Sequence, residues 1–119
     1  MEKVDLKEKF TLFTEQWRPK IVGELNGQYV KIAKLQGEFV WHRHEDEDEL
    51  FLVVHGQLTI KLKDRDIDLS EGQFFIVPRG VEHLPVAQSE CHVMLFEPKT
   101  VRNTGNVQNE RTVENSERL

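Results

Sequence analysis

Through the middle of the chain, apolar and polar positions alternate in short runs, each stopped by a turn-forming residue. This period of two is the pattern of β-strands with one buried face. Strands are expected at 21–25, 28–35, 39–44, 50–55, 58–63, 67–69, 74–77, 81–86 and 91–96. Between the first two stands Asn26-Gly27, a two-residue hairpin signal, because a type I′ turn needs positive φ at both central positions. Upstream, Asp5 and Glu8 have capping-box spacing, and Leu6, Phe10, Phe13 and Trp17 recur at i, i+4, i+7 and i+11. That spacing predicts a short N-terminal helix with an apolar stripe for packing. So many short strands with regular turns make an all-β sandwich or barrel. From Glu97 the sequence turns polar. The expected division is a barrel over 1–98 and a polar tail over 99–119, which wraps a neighbouring subunit or is partly disordered.

Composition narrows the class. At 119 residues, 38% hydrophobic and 31% charged, the chain is one domain's worth with a single core. A net charge of −5 argues against a nucleic-acid surface, which needs clustered Lys and Arg. No run reads as a membrane span and no apolar segment near residue 1 reads as a secretion signal, so a cytoplasmic location is expected. The single cysteine, Cys91, excludes an internal disulfide and reads as strand packing.

The candidate chemistry lies in the histidines. His42 and His44, one residue apart, would put both imidazoles on one face of a strand. Glu49 opens the next strand, where alternation turns it inward, while Glu45 to Asp48 read as a solvated loop whose charge favours cation capture. His83 follows the Pro78-Arg79-Gly80 turn. Four such donors can close around one divalent ion. Three imidazoles and one carboxylate are too nitrogen-rich for Mg or Ca, lack the thiolates of a structural zinc site, and leave coordination positions open. By strand parity Val40, Phe51 and Val53 share the inward face, so the pocket should be apolar and modest, fit for a small molecule offering one or two oxygens. Phe39 and Trp41, of opposite parity, should point outward.

These residues carry a resemblance. Gly37-(x4)-His42-x-His44-(x4)-Glu49-(x6)-Gly56 and Gly72-(x5)-Pro78-x-Gly80-(x2)-His83 resemble, in order, the two signature motifs of the cupin superfamily, with 15 residues between them. The motifs cover 37–83, and strand-like sequence extends the likeness to 28–97. There are two departures: the first gap is four residues where five is usual, and Ala87 stands where an asparagine is often found. The resemblance implies an antiparallel jelly-roll β-barrel of a small single-domain cupin. It also implies His42, His44, Glu49 and His83 as ligands of one divalent transition-metal ion, Mn or Fe favoured and Ni, Zn, Co or Cu admissible. It further implies a homodimer, for which Phe39 and Trp41 would supply an apolar patch. Three functions follow from it. One is a sugar or sugar-phosphate isomerase in which the metal polarises a carbonyl and His55 is the acid/base candidate. Another is a dioxygenase with a three-His, one-Glu centre. The last is a binding or sensor module without turnover, ranked lower because the chain has no room for a DNA-binding helix-turn-helix.

Overall fold

The computed structural model describes residues 2–119. One helix and eight strands follow one another: α1 (Leu6–Phe10), β1 (Lys20–Leu25), β2 (Gln28–Glu38), β3 (Glu49–His55), β4 (Gln57–Leu62), β5 (Asp66–Ser70), β6 (Phe74–Val77), β7 (His83–Pro98) and β8 (Glu117–Arg118). The Asn26-Gly27 hairpin forms as its chemistry requires, with φ of 51° and 78° joining β1 to β2. The sheet runs β5-β4-β7-β2-β1-β8, with β3 on β7 and β6 on β3. Apart from the parallel β1–β8 pair, its ladders are antiparallel. This is the expected all-β jelly roll with a short N-terminal helix, and its sheet does not close.

Strand β7 is the hub. Its first residues pair with β4 (Leu62↔His83 to Thr59↔Val86), and its later ones lie between β2 and β3. Inward residues of these strands, among them Ala33, Leu35, Phe51, Val53, Leu58, Ile60, Val93 and Leu95, form one core. A smaller cluster sits on the outer face, where Phe10 and Phe13 cover Ile32.

Four expectations need correction. Residues 39–44 do not form a regular strand, because their backbone meets β7 only at isolated points and is otherwise bonded off the ladder. Only His42 pairs with β7 in an isolated bridge, Phe39 N–H donates to Pro85 O, and the backbone of Arg43 is bonded to Asn106. The strands expected at 81–86 and 91–96 are one strand, since Gln88-Ser89-Glu90 holds neither Gly nor Pro and the ladder continues through a bulge opposite Leu35/Gly37. The helix stops at Phe10, where the Thr11 hydroxyl donates to Glu8 O (2.6 Å). Phe13 stays with Phe10, whereas Trp17, at φ 62°, parts from the stripe. Finally, the tail packs on its own barrel. Val101 and Thr104 are buried, and β8 adds to β1 beside Lys20, which bonds Glu15 and Glu117 at 2.8 Å each.

Candidate metal centre

The elements bring the four donors together from three parts of the chain. His83 is the first residue of β7 and Glu49 the first of β3, while His42 is tied to His83 by reciprocal backbone bonds of 3.1 and 2.9 Å. Residues paired in this way carry their side chains close together. The His42 and His83 ring centroids lie 4.2 Å apart, and that of His44 lies 5.2 and 5.7 Å from them. All four side chains are buried, and one donor atom from each lies within 4.8 Å of the others.

Backbone carbonyls orient two of the rings. Nδ1 of His42 donates to Val40 O (2.8 Å) and Nδ1 of His83 to Val81 O (2.9 Å), which turns each Nε2 lone pair toward the cluster. Oε1 of Glu49 lies 3.2 Å from His44 Nε2 and 3.7 Å from His83 Nε2. None of these three atoms has an aligned hydrogen-bond partner. A buried polar atom left unsatisfied costs about 1–3 kcal/mol, so three at one point form a cradle that a cation relieves. The donor set, borderline nitrogen plus carboxylate, fits a divalent transition ion held by His42, His44, Glu49 and His83.

Electrostatics agree. Burial, with the His83 ring beside it, lowers His42 to about 4, so it stays neutral and able to ligate. Burial works against a charge on His44, but the carboxylate of Glu49 at 3.2 Å outweighs it and the group is raised. Glu49 is held well below the usual carboxylate range: burial works against its charge, but the polar side chains of Glu97, His44 and His83 beside it outweigh that burial. Glu97 moves the other way, pushed well up by burial and by Glu49, with Lys31 at 3.1 Å only partly offsetting them.

Glu49 and His42 line a cavity of about 30 Å³. The closed part holds little more than an ion's open positions and water, but the cavity opens to solvent, so a larger guest would extend into its mouth. Its walls are Ala33, Leu35, Phe51, Pro85, Val93 and Leu95; Glu97 and Asn103 are the further polar lining. At the same wall Trp17 stacks on Phe39 (4.7 Å, 13°), with the Arg111 guanidinium 5.7 and 5.8 Å from the two rings.

The family model described as "Cupin domain" matches residues 28–97. The chain belongs to the cupin family. This cupin is 35% identical over 80 residues to the uncharacterized protein YdbB of Bacillus subtilis (strain 168), a match covering 66% of the chain and 65% of that protein, so it spans just under two thirds of the relative's length. Among solved structures it is similar to a cupin-2 domain containing protein from Shewanella frigidimarina NCIMB 400, with 43% identity, TM-score 0.80, and 81% of this chain and 94% of that one covered. It is also similar to protein NMB1881 from Neisseria meningitidis, with 28% identity, TM-score 0.75, and 82% and 100% covered.

The other sequence readings fare differently in this cupin. Phe51 lines the cavity, and Val53 is buried in the core behind it. Val40 is half-buried and serves through its carbonyl rather than its side chain. Phe39 faces the cavity, not solvent, because the segment carrying it is not a strand and parity does not hold there; Trp41 lies under Lys63 Nζ at 3.9 Å. His55 is not brought to the cluster. A register shift between Val53 and His55 ends the alternation, leaving the side chain 67% exposed, 3.3 Å from Glu71, in an outer groove with His92 and Phe10. His92 is a packing residue, stacked on Phe10 at 4.4 Å. Ala87 is buried in the core, an apolar neighbour rather than a hydrogen-bonding one.

Sequence reasoning missed Glu97 and Lys31, 1% and 4% exposed. The signal was present: Cys91, Val93, Leu95 and Glu97 share one parity on β7, so the last of them points inward with the rest.

Proton linkage gives a direct check. His44 is raised above the ordinary imidazole range and so keeps its proton to higher pH than a free imidazole, whereas His42 at about 4 is neutral near pH 6.5. A divalent ion that takes His44 must expel that proton, so affinity should rise as pH climbs above 6.5. Calorimetric titration with Mn2+ in buffers of different ionisation enthalpy should show proton release at the lower pH; an affinity independent of pH over this window contradicts the assignment.

Proposed function

We propose that this cupin is a metal-dependent enzyme acting on a small molecule that offers one or two oxygens to a divalent ion held by His42, His44, Glu49 and His83. The observation that carries this reading is the convergence of four buried donors, three with no aligned hydrogen-bond partner, at the wall of an apolar cavity. When bound, the ion supplies Lewis-acid polarisation of a coordinated oxygen, with Mn or Fe also able to support oxygen chemistry. The chain supplies the rest. Val40 and Val81 carbonyls fix the rings, Phe51, Leu35 and Leu95 exclude water, and the Trp17–Phe39 stack bounds the space where a guest sits.

The lining favours one guest class. A sugar phosphate needs partners for several hydroxyls and a cation for its phosphate. The walls offer Asn103 and Glu97 beyond the ligands, and no Lys or Arg lines the cavity among the described residues. A compact, largely apolar enol or diketone fits better, which supports the dioxygenase-like reading over the isomerase-like one. His55 has no part in it, being outside the cavity. A cytoplasmic setting belongs to this reading and agrees with Cys91, a buried thiol pushed up to about 11 and so unreactive.

A second copy of the chain completes the proposal. Strand β6 pairs with β3 alone and exposes Phe74 (59%) and Ile76 (48%) beside Leu52 and Leu50. An apolar strip on an uncovered edge strand is an association surface, and this one replaces the Phe39/Trp41 patch.

Protein loaded in turn with Fe2+, Mn2+ and Ni2+ should take up oxygen with a β-diketone and leave a ketose phosphate unchanged. Interconversion of the sugar phosphate without oxygen uptake would restore the isomerase, and a diketone bound tightly but unaltered for hours would indicate a binding module. Light scattering at tens of micromolar should give twice the 14.0 kDa chain mass, reverting to the chain mass in Phe74→Lys; a monomeric parent refutes the pairing.

A further inference from the structure

The donor cluster is reached from two sides that differ in chemistry. On one lies the apolar cavity bounded by Trp17 and Phe39, which His42 and Glu49 line. On the other, His44 lines a groove of about 190 Å³ that carries Glu45, Asp46 and Glu47 together with Thr100 and Asn106 of the tail. The groove's two cations are already engaged: Arg43 pairs with Glu45 and with Glu82 (2.9 Å), and Arg102 donates to Gly105 O (2.9 Å) and lies 3.5 Å from Glu114. That leaves Asp46 and Glu47 without a Lys or Arg partner among the described residues. The Thr100 hydroxyl donates to Glu47 Oε2 (2.6 Å), which orients this carboxylate and leaves its charge. His44 also differs from the other two imidazoles in how it is held. Carbonyls pin Nδ1 of His42 and of His83, whereas no hydrogen bond fixes Nδ1 of His44 among the described residues, and its buried Nε2 has no aligned partner. This one ring belongs both to the groove and to the cluster.

We propose that this groove is the port by which a divalent ion reaches the centre: Asp46 and Glu47 gather the hydrated ion, and His44, the one ring not pinned by a carbonyl, passes it to His42, Glu49 and His83. The inference rests on the metal-dependent reading above. An ion crossing the apolar mouth would shed water that little there replaces, and an unpaired charge is costly to bury. Carboxylates in the groove can take the place of those waters in turn. They also hold the local potential negative, and a focused field of this kind raises capture rates by about 10- to 1,000-fold at low salt. Ion and guest thus have separate entrances. The guest's side can stay apolar because the ion does not pass through it.

The test times the passage of Mn2+. Full-length protein stripped with chelator is mixed with Mn2+ and uptake is followed by water-proton relaxation; release from the loaded protein is timed in excess EDTA. Asp46→Asn/Glu47→Gln is compared with the parent and with Glu2→Gln/Glu8→Gln, which removes as much charge from exposed positions outside the groove. The groove variant should load and release Mn2+ each about tenfold more slowly than the parent, at unchanged final occupancy, because a port speeds both directions alike. The control should match the parent. Loading slowed with release unchanged would mean a field acting on the bound ion from a distance, and fewer ions held at the end would make these carboxylates ligands. Either result overturns this inference alone, as do rates equal to the parent's or a control slowed as much. Asp46→Lys, a single exposed change, repeats the measurement should the double variant melt early. A parent that takes up no Mn2+ overturns the metal reading and this inference with it.

Discussion

Four polar side chains buried around one point, with three of their donor atoms left unpaired, are the constraint on which this molecule turns. Protein interiors rarely tolerate that, because each orphaned atom forfeits its hydration without a partner in return. Here the arrangement is held from two sides. The hydrogen-bonded His42–His83 bridge fixes two ligands relative to each other, and the β3–β7 ladder carries the third, Glu49, into the same space. The surrounding core of Phe51, Val93 and Leu95 makes the geometry stiff and excludes water. A rigid, dry cradle of borderline donors is suited to one kind of occupant.

The C-terminal tail belongs to this construction. By accepting and donating at Arg43, Asn106 satisfies the backbone of the segment between His42 and His44, which has no strand partner of its own. Gly105 allows the approach: a Cβ there would stand 2.2 Å from Arg43 O and 3.0 Å from the His42 ring. Arg111 and Asn103, from the same tail, complete the wall around Trp17 and Phe39. Residues that composition alone assigns to a loose appendage thus carry part of the site.

How much of this was legible in sequence follows from which rule governs each residue. Asn26-Gly27 and the strand pattern needed only local backbone preference, and the ligand set needed only residue type at characteristic spacing. Parity served wherever a strand was real, and it would have found Glu97. It failed for Phe39, Val40 and His55, where a bridge or a bulge broke the alternation, since those events depend on partners distant in sequence. The merging of the last two strands and the packing of the tail failed for the same reason. Polar composition says that a segment can be solvated, not that Asn106 will bond Arg43 on the barrel while Asn103 and Thr104 bond Arg111 and Thr112 within the tail.

The account therefore stands on an ion filling the cradle, and elemental analysis tests it most directly. Protein purified without added metal, then dialysed against buffer free of chelator, should carry about one transition-metal ion per chain, as a site with four donors of this type retains its ion. The same preparation of His83→Ala, which removes a ligand that is fully buried and carbonyl-oriented, should carry almost none while keeping its strands by circular dichroism. A parent free of metal even after incubation with excess Mn2+, Fe2+, Ni2+ or Zn2+, or a His83→Ala variant that holds as much as the parent, would contradict it.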